Sequence, residues 1–459
     1  MRNPFFSDFL AEVARQEKTP CVCGRPHPVQ TREILVSSTS LEESARHVAA
    51  VFGTAARLWV LSDQNTEAAA GAAWKKAVGG AQVVSRILPA VPRPHPTMEL
   101  AESLAAEARE AKPDLLVAVG SGVVSDLVKR VSLVIAVPNW CIATAPSVDA
   151  FTSATSAILV NGFHSAVPAQ VSQLVACDLR VMEKAPRELF LAGLGDLLAK
   201  FLAQLDWNLA RIVTGEAYCP FVAGTALESA RGALAAARMV DDDPPEAVRA
   251  LTDACLCSGL AMQATGGSRP AASAEHMLAH FWETTHAAAN KRLDLHGVLA
   301  AVASRIILRA YQGFYEKLPD LRVDRVARFR ALEVEKDWQD TLEDGLRPFI
   351  AKVNGEMADR ALDRIELERR LDRFEKGKAE ILGLADSLLS EMDAAVGFLQ
   401  DTHYPLSLAE VGIAREAALL PLRNVRLLRR RYSGFDLAYE LGAESILREA
   451  GARALSATP

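Results

Sequence analysis

The stretch Leu115-Leu116-Val117-Ala118-Val119-Gly120-Ser121-Gly122-Val123-Val124-Ser125-Asp126 decides the fold class. An uncharged apolar run of strand length reads as a strand buried on both faces, and the residues after the glycines carry a helical pattern. Glycines at such a strand-to-helix turn let backbone amides approach a diphosphate, whose charge the helix N-terminus favours. The turn lacks the G-x-G-x-x-G dinucleotide spacing, and a tight turn needs glycine for backbone reasons alone, so a phosphate site and a plain turn both stand at this point.

Working outward, Arg57 to Leu61, Ala81 to Val84 and Val134 to Pro138 are further short apolar runs, separated by helical stretches over Thr66 to Val78 and Thr97 to Ala111. Strand-length runs alternating with helices predict a parallel sheet covered on both faces. From about Pro186 the texture changes to long amphipathic stretches: Arg187 to Val213, Pro245 to Thr265, Leu299 to Glu316 and the charge-laced Ala358 to Met392. Met239 to Glu246, with three aspartates and two prolines, reads as an exposed loop. The expectation is an α/β N-terminal domain over residues 1–186 and an all-α C-terminal domain over 187–459, with the active site in the cleft between them.

Composition bounds the function. A chain of 459 residues exceeds one compact core, and 50% hydrophobic with 24% charged residues is ordinary for a globular protein. A net charge of −6 argues against a nucleic-acid binder. The mixed charges of Met1 to Lys18 do not form a signal peptide and no apolar run has membrane-spanning length, so a cytoplasmic protein is expected. The apolar fraction permits a homodimer or larger homo-oligomer without requiring one. Seven scattered cysteines fit reduced thiols better than a disulfide framework. Cys21, Cys23 and His27 form a close cluster, but the spacing matches no common zinc motif and reads as an ordinary loop. Arg423 to Arg426 and Arg429 to Arg431 read first as a solvated helix face and second as a surface that meets a phosphate or a partner.

In the second half, Glu275-His276-Met277-Leu278-Ala279-His280 puts two histidines one helical turn apart, on one face if the segment is helical. Two imidazoles and a carboxylate suit a borderline divalent ion such as zinc, although two histidines four apart also occur as surface polar pairs. His296 follows in Leu295-His296-Gly297, and Asp196 lies upstream in Gly195-Asp196-Leu197-Leu198-Ala199-Lys200. In the first half, Thr144-Ala145-Pro146-Ser147-Val148-Asp149-Ala150-Phe151-Thr152-Ser153 has the hydroxyls, proline and carboxylate of a loop that binds a polyol or ribose, and equally those of a plain turn. Asp63, just past the Arg57 to Leu61 run, reads either as an acceptor for ribose hydroxyls or as a helix cap.

Taken in order and spacing, these pieces resemble the sn-glycerol-1-phosphate dehydrogenase family, within the group of iron- or zinc-dependent alcohol dehydrogenases, glycerol dehydrogenase and dehydroquinate synthase. The resemblance rests on the glycine turn ending in Asp126, on Thr144-Ala145-Pro146-Ser147-x-Asp149, on Ala192-Gly193-x-Gly195-Asp196-x-x-Ala199-Lys200 and on Asp206-Trp207. It continues through Ser258-Gly259-Leu260, Ser268-Arg269-Pro270, Glu275-His276-x-x-x-His280-Phe281-Trp282-Glu283 and Leu295-His296-Gly297. It implies a dehydroquinate-synthase-like fold, NAD(H) or NADP(H), and one divalent metal, zinc first and nickel or iron next. By position it implies metal ligation by Asp196, His276 and His296, with His280 and Asp149 contacting substrate. It also implies dinucleotide binding by Gly120, Gly122, Val123, Val124, Ser125 and Asp126, by Thr144, Ala145, Pro146 and Ser147, and by Ser153. The implied reaction is reduction of dihydroxyacetone phosphate to sn-glycerol-1-phosphate, a small phosphorylated ketone being the substrate. Two departures bear on substrate more than on reaction class: Ala150 stands where the family usually has glycine, and Ser121 where its phosphate turn often has a third glycine. Alternatives are a dehydrogenase of another small polyol or hydroxyketone, and a dehydroquinate-synthase-like cyclase, against which Asp196 argues because such enzymes usually carry glutamate there.

Overall fold

The computed structural model describes residues 4–16, 19–289, 291, 294–334, 347, 350–358, 362–419 and 421–456. The chain divides into two compact units, Met1–Leu197 with Pro220–Ala271, and Leu198–Cys219 with Ala272–Pro459.

The first unit is built on a six-stranded sheet whose strands all run parallel. The strands are β1 (Glu33–Ser37), β2 (Arg57–Asp63), β3 (Gln82–Leu88), β4 (Leu115–Gly120) and β5 (Asn139–Ala143); a two-stranded antiparallel hairpin, β6 (Thr155–Val160) and β7 (Phe163–Pro168), precedes the last of them, β8 (Leu174–Asp178). Their order is β1-β8-β5-β4-β2-β3. β4, β5 and β8 are buried along their whole length, as strands covered on both faces must be, whereas β3 at the edge is mostly exposed. On one face Leu58, Val60, Val117, Val119 and Ile142 pack with Leu41, Val48 and Trp74 from the helices Ser40–Phe52 and Ala72–Val78. Alternate residues such as Trp59, Leu61 and Leu116 turn the other way, toward the helices Met98–Ala111 and Gly122–Ile135.

Val134 to Pro138 is not a strand. Val134 and Ile135 complete the helix Gly122–Ile135, Ala136 takes a left-handed conformation (φ 56°) that ends it, and the strand begins only at Asn139. Leu133 and Val134 are exposed at that helix end, so the apolar run reflects a surface terminus rather than a buried strand. The aspartate-rich connection is also shorter than read: Met239 still belongs to the helix Pro220–Met239, and Asp243 caps the helix Pro244–Thr265, its side chain accepting from the Glu246 N–H. These two helices pack side by side within the first unit.

The second unit is helical among its described residues. The helix Lys200–Thr214 packs on Arg364–Asp401, and His296–Lys317 packs on Ala274–Ala288 and Glu444–Ser456. The predicted helix Ala358 to Met392 instead begins at Arg364; residues 359–361 lie outside the described set. Among the described residues no helix is long and apolar enough to cross a membrane.

Candidate metal and dinucleotide site

The carboxyl ends of three neighbouring strands, β2, β4 and β5, carry the predicted dinucleotide residues. Gly120 pairs with Ala143, so the glycine turn and the Thr144 loop leave the sheet side by side, and the Ser121 and Ser147 hydroxyls hydrogen-bond to each other. Ligands of open parallel sheets bind at such carboxyl edges. The helix starting at Gly122 aims its first N–H groups out of this edge.

The Thr144 to Ser153 loop is held from two sides by glycines. A β-carbon on Gly193 would stand 1.9 Å from the Pro146 carbonyl oxygen, and one on Gly259 would stand 2.4 Å from the Asp149 carbonyl oxygen and 2.2 Å from Thr152 Oγ1. The helices Arg187–Leu198 and Pro244–Thr265 therefore press against the loop more closely than any side chain would allow. Ser258 Oγ donates to Asp149 Oδ2 at 2.7 Å, and the Asp149 N–H donates to Asp196 Oδ2 at 3.3 Å. The two predicted carboxylates of the first unit are thus buried neighbours, Asp149 at 6% and Asp196 at 2% exposure.

Three members of the predicted set serve the scaffold directly. Lys129, fully buried, sits 3.0 Å from Asp126 Oδ1 and donates to Ala150 O at 2.8 Å, Ser153 Oγ at 3.1 Å and Thr155 O at 2.7 Å. Asp126 Oδ2 also accepts from the Ala157 N–H, so Asp126 and Ser153 brace the loop against β6. Asp63 takes its capping role: its side chain accepts from the Thr66 N–H at 2.9 Å, with Thr66 Oγ1 accepting from the Asp63 N–H in return.

In the second unit three histidines converge. The rings of His276, His280 and His296 lie 5.0 to 5.9 Å apart, centre to centre. Each faces a carboxylate through Nδ1: His276 with Glu275 at 3.0 Å, His280 with Glu283 Oε2 at 2.7 Å, and His296 with Glu283 Oε1 at 2.9 Å. An ionised carboxylate only accepts, so each Nδ1 carries the proton and each Nε2 the lone pair. That is how imidazoles are held for metal ligation. Glu275 is fully buried and also accepts from the Ser273 N–H at 2.6 Å. Glu275 and Glu283 sit within the motif read from sequence, but their roles are new; a carboxylate three residues after His280 on a helix is the signal that could have shown Glu283.

The histidine helix Ala274–Ala288 is fixed at its start through Asp206, a fully buried carboxylate. Asp206 accepts from Ser273 Oγ at 2.5 Å, from the Tyr311 hydroxyl at 3.0 Å and from the Gly434 N–H at 2.9 Å. Burial, with Asp206 alongside, pushes the Tyr311 phenol well above its usual range, so it remains a donor.

Residues 40–186 match the iron-containing alcohol dehydrogenase family. Over 271 residues the chain is 33% identical to glycerol-1-phosphate dehydrogenase [NAD(P)+] of Geobacillus thermodenitrificans (strain NG80-2), which covers 56% of this chain and 67% of that protein. It is 37% identical over 204 residues to the enzyme of the same name from Sulfurisphaera tokodaii, covering 44% of this chain and 57% of the relative. The structure of a probable glycerol dehydrogenase from Sinorhizobium meliloti 1021 superposes with a TM-score of 0.58 at 15% identity, over 93% of this chain and 96% of that one, a likeness of fold.

Proposed function

The chain belongs to the iron-containing alcohol dehydrogenase family, and from that premise we propose that it reduces dihydroxyacetone phosphate to sn-glycerol-1-phosphate with NADH or NADPH and a divalent metal. The observation that carries the reading is the set of three histidines, each held through Nδ1 by a buried or half-buried carboxylate. The names of the relatives support the substrate.

Asp196, His276 and His296 would hold the ion. Two imidazoles and one carboxylate fit a borderline divalent ion with positions left open, zinc first and nickel or iron next. Gly120 to Ser125 and Thr144 to Ser147 would hold the dinucleotide, on backbone amides and hydroxyls at the carboxyl edge of the sheet. When bound, the ion supplies a Lewis acid for a carbonyl oxygen and the dinucleotide supplies hydride.

The chain's own residues do the rest. Glu283 accepts from His280 Nδ1 and leaves Nε2 facing away from the carboxylate; protonated as an imidazolium beside Glu283, His280 would give its Nε2 proton to the product oxygen and return to the neutral Nδ1–H form. Asp149, oriented by Ser258, accepts from a substrate hydroxyl. The Thr144 to Ser153 loop, fixed by Gly193 and Gly259, would hold its hydroxyls and backbone amides in place for the dinucleotide.

Turnover of dihydroxyacetone phosphate, measured together with metal content in Asp196→Ala and His276→Ala, tests this reading. Loss of both metal and activity in each variant is expected. Full metal content in both would overturn the ligand assignment, and turnover of other small ketones but not this one would overturn the substrate.

A further inference from the structure

Cys21, Cys23 and His27, read from sequence as an ordinary loop, bring their ligand atoms within 4.8 Å of one another. Three local features make the cluster more than chance proximity. The Gly24 N–H donates to the Cys21 carbonyl at 2.8 Å while Gly24 adopts φ +73°, a tight turn that folds Cys23 back toward Cys21. His27 Nδ1 meets the Ala264 carbonyl at 3.0 Å; a carbonyl only accepts, so Nδ1 carries the proton and Nε2 the lone pair. That Nε2 lies 3.2 Å from Cys23 Sγ, close to the separation of about 3.5 Å that a sulfur and a nitrogen show on one tetrahedral zinc.

We propose that this cluster is a zinc site, distinct from the Asp196, His276 and His296 set, with Cys21 Sγ, Cys23 Sγ and His27 Nε2 as ligands. Two thiolates and one imidazole are donors that zinc takes in its tetrahedral sites, and none of the three is used by the proposed catalytic set. The Ala264 carbonyl is the outer partner that fixes the imidazole, and it lies at the C-terminal end of the helix Pro244–Thr265, where the helix dipole favours a cation.

The site would pin the segment that enters β1 onto that helix. Gln263, beside Ala264, accepts from the Thr31 N–H at 3.3 Å and donates to Thr31 Oγ1 at 3.0 Å and to the Thr152 carbonyl at 2.6 Å. The clip therefore backs the same loop that carries Thr144 to Ser153.

The decisive probe is cobalt, loaded into the full-length chain in place of zinc. A thiolate-to-cobalt charge-transfer band is expected in the parent and in His276→Ala alike, because the proposed catalytic ligands contain no sulfur. Cys23→Ser, at a half-exposed position, should lose that band, and it should lower bound zinc by one per chain in the parent and in the His276→Ala background alike. Cys23→His, which keeps a ligand, should restore zinc with a weaker sulfur band. No sulfur band in the parent, or unchanged zinc and band in Cys23→Ser, would overturn the proposal. Failure of the catalytic reading alone would leave all of these outcomes as they are.

Discussion

Gly193 lies against the carbonyl of Pro146 so closely that a β-carbon would stand 1.9 Å from its oxygen. The contact joins the helix that carries Asp196 to the loop that carries Asp149, and backbone cannot yield as a flexible side chain would. Gly193→Ala should cost about 1–3 kcal/mol of stability and displace the Thr144 to Ser153 loop. Denaturant unfolding checks the first, and an NADH fluorescence titration the second; unchanged NADH affinity would count against the loop as a cofactor contact.

Glu283 serves two histidines with one carboxylate. Glu283→Gln keeps the shape and removes the charge that fixes both rings. Metal affinity, followed by competition with a chelator, should fall roughly 10–100-fold, with the unfolding midpoint of the metal-free protein nearly unchanged. Equal affinity in the two proteins would mean that Glu283 does not position the metal-binding histidines.

Asp206 gathers Ser273, Tyr311 and the Gly434 N–H in a fully buried network. Asp206→Ala takes the shared acceptor from the Ser273 and Tyr311 hydroxyls and leaves the Gly434 N–H with the Tyr311 oxygen alone, and a loss of about 3–5 kcal/mol in urea unfolding is expected. The truncated network would also release the start of the histidine helix, so metal affinity should fall along with stability.

Glu440 supplies a pH dependence. Burial raises its carboxyl from 4.5 to about 7, against the lowering effects of Arg370 and of the Tyr432 hydroxyl. The folded protein prefers the neutral acid, so Glu440 contributes its full stability below about pH 4.5 and loses it as pH rises through about 7. Glu440→Gln should match the parent at low pH and gain on it toward pH 8, by roughly 3 kcal/mol. Parallel stability curves for the two proteins would contradict the shift.

Much of the first unit was legible because its central strands are short, uncharged and covered on both faces; Leu115 to Gly120 shows this best. Val134 to Pro138 misled for the same reason, since apolar residues at an exposed helix end look like a strand when only composition is read. β1 is half-buried throughout and the β6–β7 hairpin mixes buried with partly exposed positions, so neither gives a clean run. At the site, His276, His280 and His296 were visible through helical spacing and motif, and the structure groups their rings. The carboxylates that set their tautomers were not, because a hydrogen-bond partner is fixed by rotamer and packing rather than by residue type. Cys21, Cys23 and His27 were visible as letters, yet only the backbone turn at Gly24 and the Ala264 carbonyl give them a common direction.

The proposed reaction is the stereospecific reduction of one substrate. Metal-loaded protein given NADH and dihydroxyacetone phosphate should oxidise the cofactor, and chiral analysis of the product should return sn-glycerol-1-phosphate. Formation of the sn-3 enantiomer, or no cofactor oxidation with zinc, nickel or iron, would contradict this function.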